Sequence, residues 1–300
     1  NFIIYWKKKS KNEIMKNIIW LASYPKSGNT MLRLFLSSYF FAENGIIKNF
    51  NILNNIVSIN QHSFLRKFED YQTIISKVKA KPEIIQNYWI KIQKQIALEK
   101  KNEIFFIKSH NANINYNNFE FTNANFTRCF FYIVRDPRSV LISLMSHFEF
   151  NSYEESKTYL LSDKAITNVN INLPEIILSW KSNYKSWKNF YNNNKNLGLI
   201  MRYEDMVKEP ETAFYKILKL ICEKMNLSFN KKKFDNSLKS IEFKQLQKME
   251  NNFSFPEVVN KNQKFFRKGM IDEWKNLVPS NIITDIENEF HVEMKELNYL

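Results

Sequence analysis

The chain of 300 residues holds two cysteines, four histidines and four glycines, and no apolar run approaches the length of a membrane span. Each shortage excludes something. Cys129 and Cys222 lie far apart in apolar settings, which points to two buried thiols instead of a disulfide and offers no metal-ligand spacing. His62, His110, His147 and His291 form no cluster in sequence, so no metal site is expected from them. Without about 20 consecutive apolar residues, no transmembrane helix is expected. Residues 1–14 carry Lys7-Lys8-Lys9 after a short apolar start, the reverse of a signal peptide, and read as an N-terminal extension. The expected location is the cytoplasm. No internal repeat or low-complexity linker interrupts residues 15–300, which read as one domain.

What is present is a folded globular composition, with 44% hydrophobic and 15% aromatic residues. The 44 basic and 30 acidic residues leave a net charge of +14, which suits an anionic partner such as a nucleotide or a membrane surface. The surplus lysines are scattered among asparagines and isoleucines, and no nucleic-acid motif accompanies them. Nucleic acid is therefore not expected as a partner.

The most informative stretch is Ile18-Ile19-Trp20-Leu21-Ala22-Ser23-Tyr24-Pro25-Lys26-Ser27-Gly28-Asn29-Thr30-Met31-Leu32-Arg33. An apolar run leads into a tight polar segment and then a helical pattern with Met31, Leu34, Phe35, Ser38 and Tyr39. Strand, loop and helix in that order aim successive backbone N–H groups and a helix N-terminus at one spot, which favours a bound anion. Lys26 adds a mobile cation, Gly28 permits close backbone approach, and Thr30 adds a hydroxyl donor. The triphosphate loop needs two glycines with the lysine after the second. Here the lysine precedes the only glycine, so this is a different phosphate- or sulfate-gripping loop.

Further along, residues 46–100 read as mostly helical and polar, with a helical stripe from Ile84 to Ile96. Glu103 to His110 is a buried-strand pattern ending in Lys108-Ser109-His110, and in an open parallel sheet ligands sit beyond such strand ends. Lys108 and His110, two apart, share one side of the extended chain. Phe130 to Val134 forms another strand, ending in Arg135-Asp136-Pro137-Arg138-Ser139 and followed by a helix that contains Ser143. Arg135 either pairs with Asp136 or, beside a helix N-terminus, holds a second phosphate. Residues 149–173 read as an irregular loop. Pro174 is expected to open a helix over 175–191 whose stripe of Trp180, Tyr184 and Trp187 is core. Leu197 to Asp205 is the next strand and its exit, followed by helices over 210–225 and 281–297. Strands alternating with helices predict an α/β fold: a central parallel β-sheet flanked by helices, with inserted caps.

Five segments, in order, resemble the sulfotransferase family, whose donor is 3′-phosphoadenosine 5′-phosphosulfate (PAPS). The loop at 24–33 is similar to the family's 5′-phosphosulfate motif. Ile133 to Ser143 resembles its 3′-phosphate motif, in which Arg135 and Ser143 would hold the donor's 3′-phosphate. Lys108-Ser109-His110 resembles the Lys-Thr-His element of the cytosolic-type enzymes, which makes His110 the general base. Tyr203-Glu204-Asp205 resembles an element whose tyrosine contacts the adenine. Arg267-Lys268-Gly269, with Trp274-Lys275-Asn276, resembles the C-terminal donor-binding segment. The matches span residues 18 to 276. The chain departs from the pattern at Met31, where an aromatic usually stacks on the adenine, and at Asp272, where a second glycine is usual. Phe243 matches a family phenylalanine on the adenine's other side. The dimerisation motif is not recognisable, which leaves the oligomeric state open.

The resemblance implies a P-loop-type fold and transfer of a sulfuryl group from PAPS to a hydroxyl or amine of a small-molecule, carbohydrate or lipid acceptor. PAP would be the product, and no metal would be required. His110, Lys26 and Lys108 would be the catalytic residues. Lys26, Ser27, Gly28, Asn29, Thr30, Met31, Arg135, Ser143, Tyr203, Phe243, Arg267, Lys268 and Gly269 would bind the donor. The acceptor site is expected in the loops at 44–100 and 148–172. The rival readings are a kinase-like phosphotransferase using ATP and Mg²⁺ and a nucleotide-binding protein without catalysis. The third, a basic nucleic-acid binder, predicts steep salt dependence.

Overall fold

The structure, a computed structural model, describes residues 16–99, 103–167, 172–257, 264–266 and 271–300. Seven strands occur among these residues: β1 (Ile18–Ser23), β2 (Val57–Ser58), β3 (Phe105–Ser109), β4 (Asn115–Tyr116), β5 (Phe119–Glu120), β6 (Thr127–Val134) and β7 (Gly198–Arg202). The first helices are α1 (Asn29–Phe41), α2 (Tyr71–Ala80), α3 (Trp89–Glu99), α4 (Pro137–Phe148), α5 (Tyr153–Leu161) and α6 (Trp180–Asn193). The later ones are α7 (Tyr203–Lys208), α8 (Pro210–Met225), α9 (Lys231–Ser240), α10 (Phe243–Asn252), α11 (Trp274–Leu277), α12 (Ser280–Glu289) and α13 (His291–Glu296).

The expected α/β fold with a central parallel sheet is what forms. Five strands are ordered β2-β3-β1-β6-β7, and β1 runs parallel to both β3 and β6. All six residues of β1 are buried, as both faces of a parallel sheet are covered, and this explains its unbroken apolar run. The register sets Leu21 opposite Lys108 and Ala22 opposite Ser109. The chain divides into two compact units.

One unit, over 16–24, 57–134 and 159–201, carries this sheet. On it lies α6, whose Trp187 ring stacks on Tyr132 at 6.0 Å and meets Phe130 at 5.6 Å. Trp180, Tyr184 and Trp187 are buried, so the aromatic stripe is core as expected. The hairpin β4–β5 turns through Asn117 and Asn118, both left-handed, which asparagine tolerates better than most residues.

The other unit, over 25–56, 135–158 and 202–300, is helical. Its core places Phe35 of α1 against Phe214 of α8 at 4.2 Å and Phe234 of α9 at 5.9 Å. Helix α8 spans the expected 210–225, with Pro210 in its first turn and left-handed Asn226 at its stop. Asp136 caps α4 by accepting from the Arg138 N–H at 2.9 Å.

Four expectations need correction. The segment 149–173 contains helix α5. The helix expected over 175–191 begins only at Trp180, capped by the Ser179 hydroxyl. Residues 174–179 are instead non-helical, with Leu178 left-handed at φ 62°, because Ile176 bridges Ile166 and the Glu175 N–H donates to the Thr167 hydroxyl at 2.8 Å. The stripe from Ile84 to Ile96 splits into a tight 3₁₀ turn up to Tyr88 and then α3. The C-terminal pattern at 281–297 is two helices, parted at Phe290.

Cys129 and Cys222 are buried thiols and form no disulfide. Among the described residues, no helix is long and apolar enough to cross a membrane. The extension expected at 1–14 lies outside the described residues.

Candidate active site

In the sheet-bearing unit, β3 ends at Ser109, and His110 follows directly beyond its carboxyl end. The imidazole Nδ1 lies 2.9 Å from the Ser23 carbonyl oxygen and 3.2 Å from the Ser23 hydroxyl. A carbonyl only accepts, so Nδ1 carries a proton, and in the neutral ring the lone pair is on Nε2. That is the tautomer a base needs.

The same segment is held by Glu175, a carboxylate buried to 1% exposure. Its Oε1 accepts from the His110 backbone N–H at 2.6 Å and the Ser109 hydroxyl at 3.4 Å. Its Oε2 accepts from Asn60 Nδ2 at 3.1 Å and faces Lys108 Nζ at 3.8 Å. Burial, with the Glu175 charge nearby, raises the Tyr159 hydroxyl well above its ordinary pKa. Sequence reasoning gave Glu175 no role, because it placed the residue on a helix. The signal that could have found it is Ser179, a good helix cap just before the Trp180 stripe, which leaves 174–178 outside the helix.

In the helical unit, the loop after Tyr24 uses two left-handed residues, Lys26 at φ 65° and Gly28 at φ 102°. The Gly28 carbonyl accepts from the Met31 N–H at 3.1 Å and so starts α1. A side chain at Gly28 would strike the Tyr203 ring, with Cε2 only 2.9 Å from a Cβ. Arg135 donates through Nη1 to the Lys26 carbonyl at 3.1 Å, and its guanidinium lies 4.6 Å from the Tyr203 ring centre. The loop, the arginine after β6 and the tyrosine after β7 thus converge. Ser27 Oγ is fully buried and has no hydrogen-bond partner among the described residues. An orphaned hydroxyl beside a helix N-terminus fits an anionic group in the loop.

Lys26 Nζ lies over the Phe265 ring at 4.9 Å. The Thr30 hydroxyl donates to Glu257 at 3.4 Å, and Arg33 pairs with the same carboxylate. Asp136 does not pair with Arg135: it takes Arg138, which also contacts Glu287 and lies 3.7 Å from the Trp274 ring centre. Glu204 accepts from the Asp136 N–H at 3.0 Å and the Tyr299 hydroxyl at 2.8 Å. Burial raises the Glu204 pKa, although those two hydrogen bonds oppose it.

The sulfotransferase domain family model matches residues 16–298. The chain belongs to the sulfotransferase family. Its reaction class is therefore sulfuryl transfer. Mouse sulfotransferase SULT7A1 complexed with PAP is similar in fold, at 18% identity and a TM-score of 0.55, over 94% of this chain and 85% of that one. Retinol dehydratase is similar in a complex with androsterone and inactive cofactor PAP, at 15% identity and a TM-score of 0.60, over 93% and 80% of the two chains. It is also similar in a complex with retinol and PAP, at 14% identity and 0.60, over 93% and 82%. No curated protein matches the chain.

Among the residues that the sulfotransferase motifs single out, Lys26, Gly28, Arg135 and Tyr203 meet in one cluster. Ser27 is buried beside them, while Asn29, Thr30 and Met31 form the first turn of α1. Ser143 on α4 and Phe243 at the start of α10 are half-buried. Arg267, Lys268 and Gly269 lie outside the described residues. No group of three His, Cys, Asp or Glu side chains able to hold a metal occurs among the described residues.

Proposed function

We propose that this sulfotransferase moves the sulfuryl group of PAPS to a hydroxyl or amine of a small-molecule, carbohydrate or lipid acceptor. The observation that carries the donor assignment is the convergence of three separated motifs: Arg135 bonded to the Lys26 carbonyl and lying on Tyr203, which in turn packs on Gly28. The loop at 26–31 takes the 5′ end, with the buried Ser27 hydroxyl as one donor. Arg135 and Ser143, with Arg267, Lys268 and Gly269, take the 3′-phosphate, and Tyr203 and Phe243 take the adenine. The PAP held by the structural neighbours is consistent with this choice of donor.

In the reaction, Nε2 of His110 takes the acceptor proton as the acceptor oxygen or nitrogen bonds to sulfur. The bond from sulfur to the 5′-phosphate oxygen breaks, and its electron pair leaves with PAP. Lys26 and Lys108 offset the charge that builds on the leaving oxygen and the sulfuryl oxygens, as cations do in phosphoryl transfer. Buried thiols fit a reducing compartment, and we place the protein in the cytoplasm as one domain over 15–300. Androsterone and retinol in the neighbours make a small apolar alcohol the first acceptor class to try.

The test is calorimetric titration with PAP and with adenosine 5′-phosphosulfate, which lacks the 3′-phosphate. PAP is expected to bind at least about tenfold more tightly, a difference of about 1.4 kcal/mol. Equal or absent binding of both would refute the donor assignment, and ATP with Mg²⁺ would be titrated next.

A further inference from the structure

We propose that Glu175 is the positioning residue of the catalytic segment, fixing Lys108 and His110 together through one buried carboxylate. The proposal rests on the reading of those two residues as catalytic. Four donors from two stretches of chain converge on this side chain, and its two oxygens divide them. Oε1 fixes the backbone, through the His110 N–H at 2.6 Å and the Ser109 hydroxyl at 3.4 Å. Oε2 faces the charge, with Lys108 Nζ at 3.8 Å and Asn60 Nδ2 at 3.1 Å.

The surroundings hold that carboxylate in turn. The Glu175 N–H donates to the Thr167 hydroxyl at 2.8 Å, and the Leu173 N–H donates to the Asn60 carbonyl at 2.7 Å. The Ile59 N–H donates to the Lys108 carbonyl at 3.0 Å, and the Ile176 N–H to Asn111 Oδ1 at 2.8 Å. Residues 59–60, 108–111 and 173–176 therefore form one hydrogen-bonded knot.

A buried carboxylate without compensation is costly, so these donors explain why Glu175 is tolerated where it is. They do not explain why the residue should be charged, since a neutral acceptor would satisfy the His110 N–H and the Ser109 hydroxyl equally. The charge has its use at Lys108. At 3.8 Å the ammonium is held near its post but is not closed into a tight hydrogen bond. It can reach a sulfuryl oxygen without breaking a short contact.

The geometry also links the two catalytic groups. The Ser23 carbonyl fixes the His110 ring and Glu175 fixes the His110 backbone, so the base is held at both ends. A shift of Glu175 would move the base and the lysine together.

The test compares wild type, Glu175→Gln, Lys108→Ala and the double variant. Turnover of PAPS is followed with 2-naphthol and a steroid alcohol as probe acceptors, PAP affinity by calorimetry, and the His110 amide proton by NMR. Glutamine keeps the shape and one acceptor but turns an N–H₂ group toward Lys108 or His110. Glu175→Gln is expected to lower kcat about 10-fold or more, with PAP affinity within about twofold of wild type. In the Lys108→Ala background the same change is expected to cost less than about threefold, because the two act as a unit. The short bond to a carboxylate should place the His110 amide proton far downfield in wild type, and Glu175→Gln is expected to move it upfield.

Equal losses in both backgrounds, or wild-type kcat in Glu175→Gln, would overturn the proposal. An unmoved amide proton would overturn it too, and that readout needs neither donor nor acceptor. Should wild type bind no PAP and turn over no PAPS, the functional reading itself fails, and the amide shift alone decides whether Glu175 holds the segment. Asn60→Ala, which removes a neutral partner of the same oxygen, guards against misfolding of the glutamine variant. It is expected to lower kcat by a smaller factor than Glu175→Gln, and a larger loss would overturn the assignment.

Discussion

Replacing Gly28 by alanine adds one methyl group at the point where the anion loop meets Tyr203. Two costs follow. At φ 102° an L side chain is strained, at about 1–2 kcal/mol for left-handed backbone. The new Cβ would also lie 2.9 Å from Tyr203 Cε2 and closer still to Cδ2, so the ring must shift. That movement loosens the Arg135 contact with the ring, worth about 0.5–1 kcal/mol. The total of about 1.5–3 kcal/mol falls on the loop, on the residue proposed to touch adenine and on the residue proposed to hold the 3′-phosphate. At about 2 °C per kcal/mol for a chain of this size, the melting temperature should drop by about 3–6 °C. PAP affinity should fall about 10- to 100-fold by calorimetry.

Gly45→Ala supplies the control. Gly45 is also left-handed, at φ 73°, and a Cβ there meets the Lys233 backbone, away from the donor motifs. It should lower the melting temperature and leave PAP affinity unchanged. Gly28→Ala binding PAP as wild type does would refute the claim that the loop and Tyr203 share the donor.

Other expectations follow from the same geometry. His110→Ala should lower turnover by about 10²–10⁴-fold while PAP affinity stays within about twofold, and an equal loss of both would make His110 a binding or structural residue. Arg138→Leu breaks the buried pairing with Asp136 and Glu287 and uncovers Trp274, and should cost about 3–5 kcal/mol in chemical denaturation. Burial raises Glu204 above its ordinary 4.5, so the folded protein keeps that proton to higher pH than the unfolded chain does. Its contribution to stability is complete below about 4.5 and is lost as pH rises through the raised value. Glu204→Gln imitates the protonated form and should therefore gain on wild type between about pH 4 and pH 7 in melting temperature. A gap that does not change with pH would contradict the assignment.

Much of the framework was legible in the sequence because local signals agreed with the fold. The run from Ile18 to Ser23 had to be a doubly covered strand, and Pro210 with Asn226 marks both ends of α8. The loop after β1, Lys108-Ser109-His110, Arg135 and Tyr203 could be read because each stands at or just beyond a strand end. What was hidden depends on pairing at a distance. Strand β2 is only two residues long and exists through its partner β3. Residues 174–179 look like a helix start after Pro174, yet the bridge from Ile176 to Ile166 keeps them out of the helix. That bridge is what carries Glu175 to Lys108, and no periodicity reports it. Helix α5 was missed because its polar run Tyr153 to Leu161 has little apolar stripe to detect.

The most direct test of the account is transfer of radiolabelled sulfuryl from PAPS to a panel of phenols, steroid alcohols, lipid alcohols and sugars. It would be run in excess EDTA with wild type and with His110→Ala. The account predicts labelled sulfate ester from wild type, with the chelator making no difference, and about 10²-fold less or lower from the variant. Label that stays in PAPS across the panel, together with transfer from ATP that needs Mg²⁺, would contradict it.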